Sequence, residues 1–224
     1  MTAARPVLTA EELLQRLEAN SNRDNVAGMA RYGINVQRAL GVSMPFLRAA
    51  AREAGKSHRL ALRLWQSGIH EARILATLVE DPARIGARQM ERWARDFDSW
   101  DVCDQACQNL FWRAPGAFER AGRWSRAKPE FVRRAGFTLM AQLAVKVKDE
   151  PDSRFESFLP LIAEAARDER RMVLKGASWA LRQIGKRNPP LRAKAIGAAK
   201  AIGMRDSRPA RWLARDVLRE LEGC

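Results

Sequence analysis

Nowhere in its 224 residues does this chain sustain the apolar–polar alternation of a half-buried strand bounded by hairpin turns. Apolar residues instead recur at three- and four-residue intervals almost throughout. That periodicity commits the chain to an all-α fold, since a strand-period core has nowhere to form. Helices are predicted over about 9–19, 23–38, 43–54, 58–67, 69–80, 84–96, 99–113, 115–125, 129–147, 153–166, 168–187, 190–202 and 207–222. Thr9 followed by Glu12 makes a capping box, Ser43 and Ser57 read as N-caps, Gly68 and Gly185 sit near helix ends, and Pro82, Pro129 and Pro189 separate runs.

The predicted helices are short, joined by brief turns, and fall into antiparallel pairs beginning near Ser57, Ser99, Pro129, Asp168 and Ser207. Their recurrence of roughly 30 to 42 residues lies near the period of HEAT or armadillo repeats. One pair cannot bury its own apolar face, whereas stacked pairs share a continuous core and leave a curved surface. The expected architecture is therefore a HEAT/armadillo-like α-solenoid of about six antiparallel helix pairs with a concave basic face. Residues 1–224 form a single domain in this reading, with 1–8 as a flexible N-terminal tail; a globular helical bundle is the alternative.

Charge narrows the partner. Forty Lys and Arg against 26 Asp and Glu give a net charge of +14 and a pI near 10.9, a bias toward polyanions. Nucleic acid is the commonest such partner, although ribosome-associated factors and binders of acidic membranes share the composition. No segment is long and apolar enough to span a bilayer, and Met1 to Ala10 lacks the basic-then-apolar order of a secretory signal, so a cytoplasmic protein is expected. Cys103 and Cys107 lie one helical turn apart on an apolar face and read as packing residues in a reducing compartment. With His58 and His70 as the only histidines, no zinc constellation can be assembled, and neither metal nor cofactor is expected.

Four side chains stand away from the stripes that should form the core. In the helix predicted over 168–187, Leu174, Ala177, Leu181 and Ile184 make the apolar stripe and Trp179 points almost opposite to it. Lys175, Arg182 and Lys186 surround Trp179 at helical spacings. An indole among cations combines a stacking surface with phosphate neutralisation; the alternative is a second buried face with the cations snorkelling past it. Trp100 and Asp104 share one edge of the stripe Cys103, Ala106, Cys107, Leu110, Phe111 and Ala114. A carboxylate beside an indole is partly dehydrated and acts more strongly on nearby charge, unless it simply pairs with an arginine of the next helix. Arg134 projects from the stripe Val132, Ala135, Leu139 and Leu143, with Arg133 on another side. His58, His70 and Trp212 are read as structural.

The order of these motifs is recognisable. Ser-Trp-Asp-Val-Cys-Asp at 99–104, Phe-Val-Arg-Arg-Ala at 131–135 and Ala-Ser-Trp-Ala-Leu-Arg at 177–182 resemble the AlkD-like DNA alkylation repair family, and Gly-Met-Ala-Arg-Tyr at 28–32 resembles its N-terminal helix pair. The resemblance runs from about residue 10 to 220. It implies a HEAT-like repeat DNA glycosylase that excises cationic N3- or N7-alkylated purines from duplex DNA, as a monomer in the bacterial cytosol without metal or cofactor. It further implies that Asp104 is the catalytic aspartate, that Trp100 and Trp179 flank the lesion, that Arg134 is the active-site arginine, and that Tyr32 lies near the DNA. The stretch after Tyr32 is shorter and less aromatic than in the family's best-known members. Arg208, Arg211, Arg215 and Arg219 at near-helical spacing suit a phosphate-tracking role, or else a solvated face.

The implied chemistry is self-consistent. Alkylation at N3 or N7 leaves the purine positively charged, so the base needs little acid help to depart and the electron-poor sugar is what must be stabilised. A carboxylate suits that task, indole faces attract developing positive charge, and the planar fork of arginine suits phosphate. No lysine stands out as a Schiff-base nucleophile, so a monofunctional enzyme is expected. The competing reading is a non-catalytic HEAT-like protein that recognises damaged, bent or branched DNA; a third is a helical scaffold for proteins.

Overall fold

A computed structural model of the chain describes residues 8–223, so most of the expected N-terminal tail lies outside the described residues. Leu8, the tail's last position, is buried. The described residues contain helices and no strand, as the apolar period requires. In chain order the helices are α1 (Ala10–Ala19), α2 (Arg23–Arg31), α3 (Met44–Ala54), α4 (His58–Gln66), α5 (His70–Val79), α6 (Ala87–Arg95) and α7 (Trp100–Asn109). After a 3-10 turn at Phe111–Arg113 come α8 (Ala117–Trp124), α9 (Glu130–Lys146), α10 (Asp152–Glu156), α11 (Leu159–Ala165), α12 (Arg171–Gly185), α13 (Pro189–Gly203) and α14 (Arg208–Leu221).

Several expected helices are shorter than their apolar pattern suggested: the run expected over 84–96 begins at Ala87, that over 99–113 breaks after Asn109 into a 3-10 turn, and two others depart further. The run expected over 23–38 stops at Arg31, because Gly33 adopts a φ of 73° and turns the chain out of the helix. The following loop is held by the buried carboxylate of Glu71, which accepts from the backbone N–H of Leu40 at 2.9 Å and of Gly41 at 2.6 Å. Gly41 itself needs its φ of 75°, and a Cβ there would lie 2.1 Å from the Asn22 carbonyl oxygen. The run expected over 153–166 divides into α10 and α11, with Pro160 in the first turn of α11, where its missing N–H costs nothing.

The chain forms two compact units, Met1–Gly86 and Ala87–Cys224. In the first, α5 packs against α1, α3 and α4 around Leu13, Leu17, Leu47, Leu64 and Leu75. The capping box at its start is present: the Thr9 hydroxyl accepts from the Glu12 N–H at 3.2 Å, and the Glu12 carboxylate accepts from the Thr9 N–H at 2.7 Å. Hydrogen bonds to Thr9 hold the Glu12 carboxyl below its ordinary pKa. Thr9→Ala is expected to destabilise this unit by about 1 kcal/mol, read as a lower midpoint in urea at unchanged slope.

The second unit is built in two layers. One layer runs α7, α9, α12, α14, each packed on the next; α8 backs α9, α11 backs α12, and α13 backs both α12 and α14. Helices within the first layer run parallel, because their contacts advance in step. The thiols of Cys103 and Cys107 donate to the carbonyls of Phe131 and Ala135, each 28 positions on. Ser178 and Arg182 reach Asp216 and Glu220, each 38 positions on. Repeats of helix pairs stacked at such intervals make one continuous core, with Phe111, Trp124, Phe137 and Phe155 buried along it.

Candidate functional site

The candidate side chains in the second unit belong to the helices of the parallel layer or to their ends. At its centre, Arg134 of α9 and Asp104 of α7 form a two-pronged ion pair. The Nε–H of Arg134 donates to Oδ1 of Asp104 at 2.9 Å, and Nη2 donates to Oδ2 at 2.7 Å. Nη1 donates to the Met172 carbonyl of α12 at 2.7 Å, so a single guanidinium ties three helices together. The Thr138 hydroxyl, one turn beyond Arg134, donates to Oδ1 at 2.9 Å. The indole of Trp100 lies one turn before Asp104, with its ring centroid 5.9 Å from the guanidinium carbon, near the limit of a cation–π contact.

Burial changes what Arg134 can do. The residue is 6% exposed, where the apolar stripe of its own helix predicted a projecting side chain. The reason is the position of α9 in the layer: with α7 and α12 on its flanks and α8 behind, nearly its whole circumference is covered. Burial opposes the charge on Arg134, but the Asp104 carboxylate outweighs it and raises the guanidinium pKa above its ordinary value. Three of its five N–H groups are already donating, two of them to Asp104, so Arg134 holds that carboxylate in one orientation.

Asp104 is less completely occupied. Three donors take three of roughly four lone-pair sites on a carboxylate, which leaves one site on Oδ2 without a donor among the described residues. Its side chain is 14% exposed. Neighbouring Cys103 is buried, and burial followed by Cys107 pushes its thiol well above the ordinary range, so the cysteine pair is packing and not a nucleophile. Arg133 faces elsewhere, toward Asp168 at 3.1 Å.

Trp179 makes no hydrogen bond, ion pair or ring contact with Asp104 or Arg134 among the described residues. It is half-buried and lies within one turn of Gly176, where a Cβ would stand 3.5 Å from Cγ of Arg134. The cations around it divide. Arg182 and Lys186 both pair with Glu220 of α14, and Arg182 also lies 3.7 Å from Asp216. Lys175 is exposed and has no ion-pair partner among the described residues. The basic stripe expected on α12 is thus neutralised along its C-terminal half by acids that the sequence places 34 to 38 positions away.

On α14, Arg208 and Arg215 are exposed and have no acid partner among the described residues, Arg211 pairs with exposed Asp206 at 2.9 Å, and Arg219 pairs with Asp216 at 2.7 Å. The exposed pair of Arg211 with Asp206 is of a weak kind that exchanges readily for a phosphate. Trp212, expected to be structural, is 39% exposed between Arg208 and Arg215. Tyr32 caps the end of α2 in the first unit and is 73% exposed. His70 is buried and His58 pairs with buried Glu80 at 2.9 Å, both as expected of structural histidines. Among the described residues no group of three or more His, Cys, Asp or Glu could hold a metal ion, and no helix is long and apolar enough to cross a membrane.

The chain is similar to a family model and to solved structures. A solved structure described as "a new family of proteins related to the HEAT-like repeat DNA glycosylases with affinity for branched DNA structures" superposes with a TM-score of 0.80 at 18% identity, over 96% of each chain. At that identity the likeness is one of fold, a HEAT-like helical repeat. A designed armadillo repeat protein in complex with the peptide (KR)4 overlaps with a TM-score of 0.40 at 15% identity, over 78% of this chain and 91% of that one. No curated protein matches the chain. The family model described as DNA alkylation repair enzyme matches residues 13–221, nearly the whole sequence and all of the motifs above, and the chain belongs to that family.

Proposed function

We propose that the protein is a monofunctional DNA glycosylase that hydrolyses the N-glycosidic bond of cationic N3- or N7-alkylated purines, with Asp104 as its catalytic carboxylate. The observation that carries this reading is the state of Asp104. It is clamped in one orientation by Arg134 and Thr138, it borders the half-buried indole of Trp100, and it retains one oxygen lone pair for an incoming group.

A fixed carboxylate stabilises an oxocarbenium-like sugar without reorganising during the reaction. The unused site on Oδ2 can accept a hydrogen bond from the attacking water. Arg134 acts as a positioning residue, and its proximity limits how much negative field Asp104 projects. That limit is tolerable when the leaving base is already cationic and departs as a neutral purine. Lys175, Arg208 and Arg215, together with the loosely paired Arg211, supply the phosphate contacts.

One specific observation favours a second reading, a DNA-binding protein without excision activity. Arg134 neutralises Asp104 through two hydrogen bonds, and a charge-paired carboxylate can serve purely to lock α7, α9 and α12 together. The structural neighbour with affinity for branched DNA is compatible with that role.

Base release separates the two. Duplex DNA carrying 7-methylguanine or 3-methyladenine is incubated with the protein, and free base is measured by chromatography. The glycosylase reading expects release, lowered by about 10² or more in Asp104→Asn. Thr138→Val, which removes one hydrogen bond and keeps the charge, is expected to lower release by about tenfold or less at unchanged DNA affinity. Salt-sensitive binding with no release from either lesion leaves the DNA-binding reading in its place.

A further inference from the structure

The open side of α12 and α14 carries a feature that excision does not require. Where the two parallel helices begin, a surface cleft of about 620 Å³ is lined by Glu169, Arg171, Leu174, Arg208, Pro209 and Trp212. Its aromatic wall, Trp212, is exposed although the neighbouring core residues Leu213 and Ala214 are buried. Arg171 and Arg208 are exposed at the rim, and neither has an ion-pair partner among the described residues. Lys175 and Arg215 follow one to two turns on, also exposed. The acids that quench this surface elsewhere, Asp216 and Glu220, sit at the C-terminal end of the same helix pair.

We propose that this cleft binds a single unpaired nucleobase of a DNA strand whose phosphates lie on Arg171, Arg208, Lys175 and Arg215. The proposal rests on the DNA-binding part of the function given above. An indole offers a face on which any base can stack, and flanking cations neutralise the adjoining backbone; together these make a site for single-stranded nucleic acid. Glu169 sharpens the assignment: a carboxylate inside the cleft repels a phosphate but accepts hydrogen bonds from the N–H groups of a base. A stacked duplex has no free base face to offer, so the cleft discriminates in favour of gaps, flaps and branch points.

Fluorescence anisotropy of the full chain at one fixed salt concentration tests this with two probes, a blunt duplex and the same duplex interrupted by a three-nucleotide single-stranded gap. Trp212→Ala is expected to weaken binding of the gapped probe by about tenfold and of the blunt duplex by less than twofold. Trp212→Phe, which keeps a stacking face, is expected to recover most of the loss. In the unaltered chain, 5-iododeoxyuridine placed in the gap is expected to photo-crosslink to Trp212, a readout independent of any variant's folding. Equal weakening on both probes, no weakening on either, or a crosslink elsewhere overturns the base subsite while leaving the broader DNA-binding reading intact. Failure of the wild-type chain to bind either probe overturns both.

Discussion

Asp104→Leu is expected to destabilise the second unit by about 3–5 kcal/mol, because it leaves the guanidinium of Arg134 buried without its counter-charge. Arg134→Leu should cost less. An abandoned carboxyl can take up a proton, whereas a guanidinium cannot lose one within the range of a folded protein. The paired variant Asp104→Leu with Arg134→Leu is expected to recover most of the loss, since two apolar side chains of similar size need no partners in the space between α7, α9 and α12. Urea denaturation of the three variants measures this directly. A double variant as unstable as the sum of the single ones refutes the coupling inferred from the two-pronged geometry.

The same asymmetry governs how the catalytic test is interpreted. Asp104→Asn preserves shape but removes the charge opposite Arg134, so lost base release is informative only if the variant melts cooperatively and still binds DNA. Thr138→Val avoids that confusion by leaving the ion pair intact. If Asp104 serves only as a brace, stability falls across the Asp104 series while no activity exists to lose. If it is the catalytic carboxylate, release falls further than stability can explain.

Gly136→Ala is the second large effect. A Cβ at position 136 would sit 2.3 Å from the backbone nitrogen of Ser125 and 2.7 Å from the carbonyl carbon of Trp124, and backbone atoms at the end of α8 cannot swing aside as a side chain can. The helices must separate, pulling the buried Trp124 out of its contact with Phe111, whose ring centroid is 5.8 Å away. The expected cost is about 3 kcal/mol, at the upper end for overpacking, and it should shift α9 relative to α8 and thereby misplace Arg134 and Thr138. Both the urea midpoint and DNA affinity are therefore expected to fall. A variant as stable as wild type would mean that α8 and α9 do not approach as closely as described.

Much of the architecture was legible before any coordinates. The apolar period required helices, the Thr9–Glu12 pair located the first of them, and the expected repeat of roughly 30 to 42 residues includes the 38-position offset between α12 and α14 but not the 28-position offset between α7 and α9. Where the expectation overran most, at residues 32–38 and 157–158, the physical causes were local. Gly33 adopts a left-handed turn, and Pro160 is acceptable only in a first helical turn.

The residues of the site were legible as types, and their pairings only in part. Trp100, Asp104 and Arg134 converge, and Arg134 also packs against Gly176 of α12, within one turn of Trp179. Arg182 and Lys186, read as free phosphate ligands, are held by Glu220, and Trp212, read as packing, faces a cleft.

A helical period specifies the angle of each side chain about its own axis, and that much the sequence determined unaided. Which of those angles remains open depends on the neighbours that cover it, and which side chains meet depends on the axial offset between helices far apart in the chain. Both are set by packing of the whole layer. That is why Arg134, which its own helix directs away from the core stripe, ends buried against Asp104.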